Sequence, residues 1–129
     1  MQSFNPTSSR PARAVQAWQI LICKATNRQT ITYEGLSLLM FKREAAGVLG
    51  PIVGHIGYYC QDNGIPILTA IVVGKTSGTP GEGVLVDPAN LDEERERVYN
   101  HDWFNIYPPS EGEFSAAYSE VDPENETVG

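Results

Sequence analysis

The sequence predicts an α+β domain in which helices come first and a two-stranded hairpin follows. Apolar residues recur at helical spacing between Pro11 and Asn63. An apolar run from Ile65 to Val73 then stands between the breakers Asn63-Gly64 and Gly74, as a buried strand does. A loop carrying Gly74, Gly78, Pro80, Gly81 and Gly83 turns the chain toward Val84, Leu85 and Val86, which supply a second strand. With 129 residues, 41% of them hydrophobic, the chain has one domain's length and can bury about two thirds of its unfolded surface.

Taken in order, residues 1–10 are polar, without periodicity, and read as a flexible leader. Pro11 suits a first helical turn, and Val15, Trp18, Leu21, Ile22 and Ala25 line one face of a helix that ends near Asn27. Thr32 is placed to cap a second, short helix over Tyr33 to Phe41, with Glu34 in the first turn where the helix dipole favours an acid. A third helix opens at Pro51 and stops at Asn63-Gly64. Glycines 50, 54 and 57 lie near one face of it, which calls for close packing against another helix or the close approach of a ligand backbone, packing being the favoured reading. After the hairpin, Asp87 or Asn90 caps a helix through Tyr99, and the aromatic cluster around Trp103 folds back on the core. Pro108-Pro109 ends the folded domain, residues 11–107, and residues 108–129 read as an acidic, flexible tail in which Phe114 and Tyr118 are the candidates for docking a partner.

Charge divides along the chain. Residues 1–84 hold seven Lys or Arg against four Asp or Glu, a balance of +3; residues 85–129 hold two against twelve, a balance of −10, which together make the net −7. Such a split fits a body that binds nucleic acid or a partner and carries an acidic tail, and equally a tail that only keeps the protein solvated. There is no apolar run of about 18 residues to cross a membrane, and the N-terminus lacks the apolar core of a signal peptide, so the sequence reads as a cytoplasmic protein with no membrane partner. Cys23 and Cys60 sit singly within helical patterns, as small buried thiols.

Chemical motifs are sparse. Gly74-Lys75-Thr76 matches the end of a phosphate loop, but position 69 is a threonine and the four residues between are strand formers. His55 and Cys60 are five apart on a helix and face different ways, and His101 and Cys23 are distant, so no metal or other cofactor is expected. No nucleophile stands on a glycine-flanked elbow, and the acids from Asp92 to Glu96 read as a solvated helix face. The expectation is a protein that is not an enzyme.

Three helices followed by a hairpin make the plan of a winged-helix domain, whose third helix enters the major groove while the hairpin loop touches the backbone. Within that class, Thr32-Tyr33-Glu34, Gly54-His55-Ile56, Ile65-Pro66, Ile71-Val72-Val73 and Gly81-Glu82-Gly83 resemble the C-terminal domain of DNA alkyltransferases and alkyltransferase-like proteins, over roughly residues 30–85. That family carries Pro-Cys-His-Arg or Pro-Trp-His-Arg just after its third helix; here Pro66-Ile67-Leu68-Thr69 stands instead, so the resemblance implies the fold and excludes alkyl transfer.

The functional expectation is therefore a winged-helix-like module that contacts duplex DNA weakly. Lys75, Thr76 and Ser77 on the wing, Lys42 and Arg43 before helix three and His55 on it are the candidate nucleic-acid-binding residues. Helix three should present Gly54, His55, Tyr58, Gln61 and Asp62 outward, a surface without arginine or lysine. The alternative is an acidic adaptor or inhibitor that uses Asp92, Glu93, Glu94 and Glu96 to occupy the basic site of a partner protein.

Overall fold

The structure is a computed structural model, described over residues 1–5, 8–74 and 85–119. Its described part is mostly helical with one small sheet. Helix α1 (Arg10–Thr26) is capped by the Ser9 hydroxyl, which accepts from the Ala12 amide at 3.2 Å. Strand β1 (Ile31–Thr32) leads directly into α2 (Tyr33–Phe41), and α3 (Leu49–Asp62) follows after a 3-10 turn at Ala46–Val48. A second 3-10 turn (Leu68–Ile71) precedes strand β2 (Val72–Val73). Helix α4 (Leu91–Asn100) and helix α5 (Glu111–Ser119) complete the order.

Helix ends follow local chemistry. At the end of α3 the Ile65 amide returns to the Cys60 carbonyl and the Gly64 amide to that of Gln61, with Gly64 at φ 64°, the left-handed conformation that glycine adopts without strain. The end of α1 has the same pattern, Gln29 to Lys24 and Arg28 to Ala25, but the left-handed residue is Arg28 at φ 56°.

The apolar run before Gly74 is not one strand. Only Val72 and Val73 are extended; Leu68 to Ile71 are wound into a turn, and all six are buried. An apolar run buried on every side has no period by which to tell strand from turn. The turn is held from outside, since the Glu94 carboxylate accepts from the Ile67 amide at 2.7 Å and the Arg95 Nε donates to the Ala70 carbonyl at 2.9 Å. Nor does β2 find its described partner in the expected hairpin. It pairs in parallel with β1, Ile31 opposite Val72 and Thr32 opposite Val73, so the connection crosses over through α2 and α3. Leu85 and Val86 are half-buried and outside any strand, while the expected wing, residues 75–84, lies outside the described residues.

The core is built on Trp18 of α1. Its ring meets Tyr59 of α3, Trp103 and Phe114 of α5 with centroids 5.8, 5.5 and 5.9 Å away. Phe114 is fully buried, so the stretch expected to be a tail contributes a helix to the core as far as Ser119. A reciprocal cap starts that helix: the Ser110 amide donates to Glu113 and the Glu113 amide donates to the Ser110 hydroxyl, both at 3.2 Å.

Candidate binding surface

Helix α5 decides which face of α3 is available. A Cβ built on Gly54 would stand 3.2 Å from Tyr118 Cζ, and one on Gly57 would meet Thr69 and Leu85, so these two glycines admit neighbours as their spacing predicts. Gly50 has no neighbour within 4 Å and instead precedes Pro51, where the ring crowds any Cβ held in helical conformation. His55 is 5% exposed, its Nδ1 donates to the Phe114 carbonyl at 2.8 Å, and its ring lies edge-on to Tyr118 at 4.8 Å. The outward placement expected for Gly54 and His55 is thus corrected: both lie under α5, Tyr58 is half-buried against Tyr118, and only Gln61 and Asp62 are open. Sequence reading missed this cover because α5 offers few apolar anchors. The Ser110-to-Glu113 spacing was the available signal.

The other end of the α2–α3 unit is different. Thr32 caps α2 by accepting from the Gly35 amide at 3.0 Å, and Leu36, Ser37 and Met40 face inward. Leu38 and Leu39 face out, 52% and 49% exposed. Lys42 ends the helix in the left-handed conformation at φ 62°. The buried Ser37 hydroxyl then donates to the Glu34 carbonyl and accepts from the Ala45 amide at 3.1 Å, which folds the chain back so that Lys42, Arg43 and Glu44 project from a closed corner. Val48, 51% exposed, lies on the 3-10 turn packed against α2.

Lys42 and Arg43 differ from Arg13, Arg28, Arg95 and Arg97, whereas Arg10 at the start of α1 is exposed like them and likewise has no ion-pair partner among the described residues. Arg13 is buried with its guanidinium 4.7 Å from the Phe4 and the Phe41 ring centroids and donates to Gln16 and to the Asn5 carbonyl. Burial holds its pKa below the usual arginine value. Arg28 reaches Glu96 at 2.7 Å, Arg97 reaches Glu94 at 2.9 Å, and Arg95 is tied to Ala70. Lys42 and Arg43 are exposed and have no ion-pair partner among the described residues.

Lys75, Thr76 and Ser77 lie outside the described residues. Of the α4 acids, Asp92 and Glu93 are exposed, whereas Glu94 accepts from Ile67 and Arg97, and Glu96 from Arg28. Among the described residues no group of three His, Cys, Asp or Glu is placed to hold a metal, and no helix is long and apolar enough to cross a membrane. Cys60 is buried, and burial pushes its thiol up to about 12, far from a nucleophile's range; Cys23 is exposed on α1. Comparison with protein-family models, with curated proteins and with solved structures finds no match, and the chemistry of the corner at α2 is what remains to indicate a function.

Proposed function

We propose that this protein is a non-enzymatic, winged-helix-like binding module whose working surface is the corner formed by α2 and the turn before α3, and that its ligand is an acidic segment of a partner protein. The order helix, short strand, helix, helix, strand supports the winged-helix frame. One observation carries the choice of ligand: three large apolar side chains, Leu38, Leu39 and Val48, stand about half exposed beside two cations that lack partners among the described residues. A phosphate backbone uses cations and leaves aliphatic side chains idle, whereas a protein interface combines an apolar centre with a polar rim. With α5 lying over Gly54 and His55, the face of α3 that would read a groove is closed, which weakens the nucleic-acid reading further.

That second reading keeps one specific support. Lys42 and Arg43 are cations of the kind that contact phosphates, and a few such contacts bind weakly and salt-sensitively; Lys75, Thr76 and Ser77, expected to join them, lie outside the described residues. A photo-crosslinking residue separates the two. With benzoylphenylalanine in place of Leu39 in cells that make the protein, discrete protein adducts are expected, and Leu38→Asp or Lys42→Glu paired with Arg43→Glu should remove them. Adducts to nucleic acid would support the second reading. Absence of any discrete adduct would overturn both.

A further inference from the structure

The corner at α2 presents two cations with no ion-pair partner among the described residues and one carboxylate, Glu44, while most of the chain's acids lie far along the sequence. Those on α4 are partly consumed, Glu94 by Ile67 and Arg97 and Glu96 by Arg28. Residues 120–129 carry four more, Glu120, Asp122, Glu124 and Glu126, interspersed with Val121 and Val128. That composition is complementary to the corner: carboxylates for Lys42 and Arg43, aliphatic side chains for Leu38, Leu39 and Val48.

We propose that residues 120–129, which lie outside the described residues, dock on this corner within the same chain and compete there with the external ligand. The inference rests on the reading of the corner as the binding surface and assigns its regulation. Position supports it. Helix α5 ends at Ser119, and Tyr118 sits against Gly54, His55 and Tyr58, so the following residues start from the face of α3. From Gly54 the path back to Lys42 runs along five helical residues, the 3-10 turn and the short loop, at most about 30 Å by standard rises per residue. The Ser37–Ala45 bond folds that path and makes the distance through space shorter. Ten extended residues span up to about 33 Å, so the acids reach the corner.

Tethering makes a weak contact sufficient. A segment joined by a short linker is held at an effective concentration on the order of millimolar, so a docking constant near 0.1 mM weakens an external ligand about tenfold. Because the contact is largely ionic between exposed groups, added salt releases it. Glu44, next to Arg43, opposes an acidic occupant, which limits the affinity and keeps the tail displaceable.

The test is zero-length carbodiimide coupling of carboxylates to amines on the full chain at low salt, with isotope-labelled and unlabelled protein mixed. The expected product is an amide between Lys42 and Glu120, Asp122, Glu124 or Glu126 within one chain, lost at about 0.5 M salt. Removing residues 120–129 should also raise the protein adducts formed at position 39 several-fold. Coupling to Lys24 on α1 as often as to Lys42, coupling only between chains, or no coupling overturns the inference. If adducts at position 39 persist while coupling is absent, the binding surface stands and its regulation by the tail falls. If adducts are missing even from the shortened chain, the binding surface itself falls.

Discussion

Helix α3 has a closed side, built on two glycines and a histidine, and α2 an open one, built on large aliphatic side chains. On the closed side, small residues at 54 and 57 let Tyr118 and Leu85 approach, Phe114 fills the space beside Trp18 and Tyr59, and His55 is bonded to the Phe114 carbonyl. On the open side, Leu38, Leu39 and Val48 are as apolar as anything in the core, yet no described element lies over them to bury them. The difference is the arrival of one nine-residue helix. Apolar composition therefore does not say which face is core and which is surface; what the rest of the chain delivers to each face does.

Breaking the closed side should give the largest effect. Phe114→Ala leaves a cavity among Trp18, Tyr59 and α5 and is expected to cost about 3–5 kcal/mol, measured as the midpoint of urea unfolding. An equal midpoint in mutant and parent would show that α5 does not belong to the core. Gly54→Val puts methyl groups into the Tyr118 ring and is expected to cost about 1–3 kcal/mol by the same measurement.

The dry interior on the closed side should also show itself in alkali. The folded-state pKa of Cys60 is raised by burial to about 12 from an ordinary thiol value of 9.0. The neutral thiol is favoured by folding, so this contribution is fully present below pH 9 and is lost as pH rises from there toward 12. Stability should fall by about 1 kcal/mol per pH unit in that window, and the part due to Cys60 should vanish in Cys60→Ala. Parallel pH curves for the two proteins would exclude it.

On the open side the expected effects are small. Gly47 has nothing within 4 Å of a built Cβ and an ordinary backbone conformation, so Gly47→Ala should stabilise by about 0.4–1 kcal/mol through the unfolded chain. Replacing both Leu38 and Leu39 with glutamine should lower the stability by no more than about 1 kcal/mol, because each side chain is about half exposed; a larger loss would mean that the patch is structural.

The contrast also explains what could be read from the sequence. Helix α2 was legible to the residue, because Thr32 as cap and a helical set of apolar residues are local signals. The glycines of α3 correctly announced close neighbours, but local pattern does not name a neighbour some sixty residues away, so Gly54 and His55 were placed outside. Leu68 to Val73 misled for the opposite reason, since burial of all six residues erases the periodicity that distinguishes a strand from a turn. Within the proposed surface, Lys42 and Arg43 were identified by charge. Leu38 and Leu39 were not, because helical spacing assigns them to a face without saying whether that face is covered.

The delivery of α5 has a consequence for the order of synthesis. Phe114 follows Tyr59 by 55 residues, so at about 5–20 residues per second the ribosome exposes the faces of α1 and α3 for several seconds before their cover emerges. During that interval Trp18 and Tyr59 lack Phe114, and an incomplete chain presents an aromatic surface that the finished one buries. The nascent protein is then most exposed to misassociation on the side that becomes its most tightly closed.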